Sequence, residues 1–309
     1  MIQKILDKIE SKRQSENFLW RFLVKSKDIL SLVKYTYILR KTVFFENSIY
    51  YFFYIVEYPY KKIMRSAIKK YIAKKYTIEF ITSSHKPEIL KRNLLKSKIF
   101  EKYKLIIQEN YTNVPKAYNE AHSLADIKIY LHNDVYLPDD FEENLFYSIY
   151  KVEKNDKNWG VLGVAGDAGI LNTQGKFYGN LNTSGDLLRG GTKFPHLVAT
   201  LDELILIVKK NFVFDEKLGN HLYGVDICLQ AREEGMKSYA INAFLYHASS
   251  TWNTGLDRQL PNDFRISRDY IKEKYKHFLP ISTTCTIIPK MLLLFTSILS
   301  ALSNKGSSS

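Results

Sequence analysis

The chain has 309 residues, of which 45% are hydrophobic, 14% aromatic and 25% charged, and its formal net charge is +13. That length and balance suit a folded protein with at least one complete core and exclude a disordered or collagen-like chain. Two cysteines, Cys228 and Cys285, stand far apart without a CxxC partner. They argue against a disulfide framework or a structural zinc site and fit a reducing cytoplasm.

The positive charge is concentrated at one end. Residues 1–75 hold 17 Lys or Arg against 6 Asp or Glu, a net of +11, which leaves the other 234 residues at +2. With a near-neutral body there is no extended basic groove, so nucleic acid is not an expected partner. The opening MIQKILDKIESKRQ lacks the apolar core of a secretion signal. The run 43–58 is interrupted by Glu46 and Glu57, and 291–302 is only twelve residues long, so both are short for a bilayer span.

The first 75 residues contain no glycine and one proline, Pro59, and read as helices. Within 60–75, Ile63, Met64, Ala67, Ile68, Tyr71 and Ile72 recur at helical spacing, and seven Lys or Arg occupy the other face. This is a basic amphipathic helix, suited to an anionic membrane surface. The alternative is that its apolar stripe packs inside the protein while the lysines are solvated.

From residue 76 the pattern changes. A strand over 76–84 ends in Ser83, Ser84 and His85, and a helix over 87–100 opens at Pro87. A strand over 103–110 ends in Glu109 and Asn110, and a helix follows over 114–125. A third strand, 126–131, runs into His132, Asn133 and Asp134, and 138–152 reads as a helix. Strands alternating with helices imply βαβ units and a mainly parallel sheet, whose strand ends are where ligands are held. Three successive strands ending on potential ligand groups point to a site.

The stretch 159–194 is glycine-rich, which predicts hairpins or a loop over that site. No GxxxxGK[ST] phosphate loop occurs. Further on, 201–211 reads as a strand, 223–235 as a helix closed by Gly235, 238–249 as a strand reaching His247, and 268–278 as a helix.

Taken together, strand–SSH, strand–EN, PKAYN, strand–HND, LDELILIVKK, YGVDICLQAREEG and YHAS resemble the family-2-type glycosyltransferases of the GT-A fold. The likeness is to bacterial members with an HDDV-like triplet in place of DXD, and it covers residues 76 to about 250. It implies an α/β, Rossmann-like, mainly parallel sheet flanked by helices in a catalytic domain at 76–265; the basic helical extension at 1–75 and the helix with an apolar tail at 266–309 take no part in the resemblance. It also implies transfer of a sugar, with inversion, from a nucleotide-diphosphate donor to a glycan or lipid-linked acceptor. Such work belongs to surface polysaccharide or glycolipid synthesis at the inner face of the membrane.

The resemblance places Asp134 and His247 on a divalent cation, manganese or magnesium, that neutralises the donor's diphosphate. His132 and Asn133 depart from the family's acids, which leaves one secure carboxylate. Ser83, Ser84 and His85 are expected along the nucleotide, Glu109 against its ribose or base, and Asn119 in the helix behind the pocket. The acids left to take the acceptor's proton are Asp202, Glu203 and Asp226, with Asp226 the expected base and Asp202 in reserve. A sugar-nucleotide pyrophosphorylase would need a basic Gly-rich loop where TSSHKPE stands. A non-catalytic membrane adaptor would leave the strand-end groups without a purpose.

Overall fold

A computed structural model describes residues 63–171, 174–191, 193–248 and 261–290. The apolar run 43–58, most of the basic extension and the tail 291–302 lie outside the described residues. The chain divides into two compact units, Met1–Lys75 and Tyr76–Ser309.

In the first unit, residues 63–75 are helical, as the periodicity predicts. Ile68 and Ile72 are buried, whereas Ile63 is 64% exposed, so the middle of the apolar stripe is already covered. Among the described residues no helix is long and apolar enough to cross a membrane.

The second unit is built on a seven-stranded sheet. β1 (Ile78–Ser84) lies between β2 (Leu105–Glu109) and β3 (Ile127–Leu131), parallel to both. Every residue of β3 is buried, the pattern of a central strand covered on both faces. Beyond β3 come β11 (Ile205–Val208), β5 (Trp159–Gly163), β12 (Lys237–Ala240) and β9 (His196–Val198). β5 and β12 are parallel, while β11 runs against β3 and β5, and β9 against β12. The expected Rossmann-like, mainly parallel α/β sheet is therefore present, with two reversed strands that periodicity does not reveal.

Helices cover the sheet: α1 (Pro87–Arg92), α2 (Val114–Asn119), α3 (Phe141–Asn155), α4 (Tyr223–Glu233) and α5 (Asn262–Lys274). Asn113 caps α2 by accepting the Lys116 N–H at 2.9 Å. α3 buries Phe141, Leu145, Phe146, Ile149 and Val152, one apolar stripe at helical spacing. α5 buries Phe264 and Ile271, which join Tyr275, Ile281, Ile288 and residues of α4 in one core cluster.

Several elements differ from the sequence expectation. The helix expected over 87–100 stops at Arg92. The Asn93 side chain there donates back to the Ile89 carbonyl at 2.9 Å, and two short 3-10 turns follow. The strand expected over 201–211 is interrupted: Leu201 ends β10 (Thr200–Leu201), β11 begins at Ile205, and Asp202 and Glu203 lie in the turn between them. The strand expected over 238–249 is two strands, β12 and β13 (Tyr246–His247), in different sheets.

The glycine-rich stretch forms hairpins of a second sheet, β6 (Ala165–Leu171), β7 (Gln174–Thr183) and β8 (Asp186–Gly190). β7 and β8 are joined by Ser184 and Gly185, both at positive φ (51° and 96°), the two-residue turn that matches strand twist. β10 (Thr200–Leu201), β13 and β4 (Val135–Tyr136) complete this sheet.

Candidate active site

Because β1, β2 and β3 are parallel, their C-terminal ends share one edge. The register sets Ser84 opposite Glu109 and Thr82 opposite Leu131, so His132 and Asn133 emerge beside the two serines. Asn133 Nδ2 donates to Ser84 Oγ at 3.0 Å, and the Asn110 N–H donates to the Ser84 carbonyl at 3.2 Å. Ser83 Oγ is buried and has no hydrogen-bond partner among the described residues. His85 and Glu109 lie at the same edge, both exposed.

The second sheet delivers the remaining histidine. β4 directly follows Asp134 and pairs antiparallel with β13, which sets His247 opposite Val135. The Ala248 N–H donates to the Asp134 carbonyl at 2.9 Å. This backbone lock leaves His247 Nε2 at 3.3 Å from Asp134 Oδ2, while His132 Nδ1 lies 3.7 Å from Asp134 Oδ1. One donor atom from each of His132, Asp134 and His247 falls within 4.8 Å of the others.

Both imidazoles are oriented by hydroxyls. His132 Nε2 bonds the Tyr223 hydroxyl at 2.8 Å, and His247 Nδ1 bonds the Thr183 hydroxyl at 3.0 Å. An outer hydrogen bond on one ring nitrogen leaves the other aimed inward, as metal-binding histidines require. Burial holds the His132 pKa below its ordinary value, against the pull of Asp134. Burial by itself would raise the Asp134 carboxyl, but the His247 hydrogen bond and the His132 charge outweigh it and hold the group below its usual range. Asp134 Oδ1 is buried without a hydrogen-bond partner among the described residues. An ionised, buried acceptor left unpaired is costly, and a hard cation satisfies it. One carboxylate and two imidazoles fit manganese or a similar divalent ion.

Three expected residues are placed differently from one another. Asp202 sits near this cluster: its Oδ2 accepts from Thr284 Oγ1 at 2.9 Å, and Oδ1 accepts the Leu204 N–H at 3.2 Å. Asn119 does not face the cluster. Its Nδ2 donates to the Phe214 carbonyl at 2.8 Å and its Oδ1 accepts the Phe214 N–H at 2.9 Å, so both amide atoms clamp α2 to the chain before α4. It lines a separate cavity of about 440 Å³ with Asp215, Gln230 and Lys274.

Asp226 departs furthest from expectation. It is fully buried, with Oδ1 bound by Lys274 Nζ at 2.6 Å and the Tyr275 hydroxyl at 2.7 Å, and Oδ2 by Gln230 Nε2 at 2.7 Å. Three hydrogen bonds thus occupy both oxygens of this carboxylate. Asp226, expected as the base, is placed here as the tie between α4 and α5.

Sequence reasoning missed Tyr223, Thr183 and Thr284, which lack a pattern of their own and matter only through the side chains they touch. It named Glu203 among the acids without choosing it.

A family model described as "Glycosyltransferase like family" matches residues 93–262. A curated protein of Fuscovulum blasticum, described as "ATP synthase subunits region ORF 6", is 31% identical over 166 residues, which cover 49% of this chain and 60% of that protein. Among solved structures, the mannosyltransferase PcManGT from Pyrobaculum calidifontis, in complex with GDP-Man and Mn2+, overlays with a TM-score of 0.40 at 8% identity, over 76% of each chain. The inositol-1-phosphate CTP transferase from T. maritima overlays with a TM-score of 0.27 at 13% identity, over 63% of this chain and 96% of that one. Neither overlap is close enough to bear on what this chain binds.

Proposed function

Because the chain belongs to the glycosyltransferase-like family, we propose that it moves a sugar from a nucleotide-diphosphate donor to a hydroxyl acceptor, with inversion at the sugar carbon. The observation that carries this reading is the convergence of Asp134, His132 and His247 at the strand-end edge that also holds Ser83, Ser84 and Asn133. Asp134, His247 and His132 are the residues that would hold a divalent cation, whose role when bound is to neutralise the diphosphate's charge. Ser83 Oγ, buried and without a hydrogen-bond partner among the described residues, would donate to the nucleotide, and Ser84 and Asn133 keep the adjoining turn in place. Tyr223 and Thr183 hold the two imidazoles so that their inward nitrogens stay available.

The test is a screen of UDP- and GDP-sugars with manganese, measuring donor hydrolysis and transfer. Release of nucleoside diphosphate from one donor class, abolished by a chelator, is the expected result. No release from any donor would overturn the reading and favour a non-catalytic role.

The acceptor fits a lipid-linked glycan at an anionic membrane surface, approached through the basic extension. With Ile68 and Ile72 covered, it is the lysine face of 63–75 that would meet the headgroups, at roughly 1 kcal/mol per basic residue. The full chain is expected to float with phosphatidylserine vesicles and to release as salt rises. Equal flotation with neutral vesicles would contradict this.

A further inference from the structure

Glu203 lies in the turn between β10 and β11, beside Asp202, and the end of another element is fitted against it. At Gly224, in the first turn of α4, an added Cβ would lie 2.9 Å from the Leu201 carbonyl oxygen, 3.3 Å from the Asp202 backbone and 3.4 Å from Glu203 Cγ. The volume that a side chain at 224 would fill is thus the volume the Glu203 stem runs along. Just before α4, Leu222 adopts a left-handed backbone with φ of 62°, which a branched residue avoids unless its surroundings impose it. The N–H groups of Leu222 and Gly224 both approach the Glu203 carboxyl.

Glu203 Oε1 is buried with no hydrogen-bond partner among the described residues, although the residue as a whole is only partly buried. The same turn reaches the metal-binding cluster by two routes. The His132 N–H donates to the Leu204 carbonyl at 3.2 Å, and Tyr223, next to Leu222, holds His132 Nε2. Glu203 is therefore in the turn that backs His132 and lies near the Tyr223 hydroxyl that holds this ring, whereas both oxygens of Asp226 already have partners.

We propose that Glu203 takes the proton of the acceptor hydroxyl, an assignment that rests on the transferase reading above. In that step the acceptor O–H bond breaks and its proton passes to Oε1. The freed oxygen pair forms a bond to the sugar's anomeric carbon. The bond from that carbon to the diphosphate oxygen breaks, and its electron pair leaves with the nucleoside diphosphate.

The surroundings tune the carboxyl for this role. Burial, with the Asp202 charge adding to it, pushes Glu203 up to about 8, while the backbone N–H groups restrain the rise. The other titratable groups facing it are Tyr118 from α2 and Tyr223 and Cys228 from α4, all raised by burial and so neutral at this pH. A base whose pKa lies near the working pH is the most effective one.

The experiment uses the full chain and the donor that the UDP- and GDP-sugar screen identifies. Glu203→Gln keeps the volume and removes proton acceptance, so turnover is expected to fall by at least ~100-fold. Affinity for the product nucleotide with manganese should change by less than about threefold, which separates a chemical loss from a binding loss. Wild-type turnover should climb with pH and level off above about 8. The residual rate of Glu203→Gln should be flat over the same range. Formate added to Glu203→Ala should restore part of the rate, which a purely structural role would not allow.

A Glu203→Gln enzyme within about threefold of wild type overturns the assignment while leaving the transferase reading intact. So does a Glu203→Gln enzyme that loses turnover and nucleotide binding together, with no formate rescue of Glu203→Ala. A wild-type chain that turns over no donor removes both.

Discussion

Asp134→Ala is expected to lower turnover by at least ~1000-fold, the scale of several kcal/mol of lost charge stabilisation at a diphosphate. Asp134 supplies the cluster's one carboxylate, and its buried Oδ1 has no hydrogen-bond partner among the described residues. The fold should survive, because what locks the loop is the Asp134 carbonyl, which accepts the Ala248 N–H and is untouched by the substitution. The check is steady-state turnover beside thermal melting of the two proteins. Wild-type-like turnover would remove Asp134 from the site.

The second large effect concerns stability. Lys274→Met should cost about 3 kcal/mol, the lower end for breaking a buried ion pair, because Lys274 is itself 28% exposed. It leaves Asp226, fully buried, without its cation, and takes from Asp215 a partner at 2.8 Å. Burial would lower the Lys274 pKa, but Asp215 and Asp226 overcome it and raise the group, so Lys274 stays charged across the neutral range. Asp226→Asn should also destabilise the protein, while turnover per folded molecule stays near wild type. The double variant should recover part of the loss, since removing both charges is cheaper than stranding one. Urea midpoints of the four proteins decide this. A stable Asp226→Asn enzyme without turnover would return Asp226 to the chemistry.

These two cases show what the sequence carries. The strand-end groups Ser83, Ser84, His132, Asn133 and Asp134 were legible because a buried strand that stops on polar residues leaves a mark in one short window, and parallel pairing then aligns the ends. The ion pair of Asp226 was not legible, because an acid in a first helical turn with apolar neighbours looks the same whether it is catalytic or ion-paired. What separates the two is Lys274, 48 residues later in α5. His247 meets Asp134 only through the β13–β4 register, and both strands are two residues long, too short to show a period. The family resemblance, not periodicity, singled it out.

The antiparallel β11 was hidden for a related reason. A run of four buried residues, Ile205–Val208, reads identically in either direction, so the turn that holds Asp202 and Glu203 was absorbed into the expected strand. Asn119 was assigned by position in its helix, but its amide is the clamp on Phe214.

The claim that His132, Asp134 and His247 hold a cation for a nucleotide diphosphate is tested most directly by titration calorimetry of UDP and GDP, each with and without manganese, into wild-type protein and Asp134→Ala. The account predicts that manganese tightens binding of one nucleotide at least ~10-fold in the wild type and has no such effect in the variant. Nucleotide affinity that is indifferent to manganese in the wild type, or equally manganese-dependent in Asp134→Ala, would contradict it.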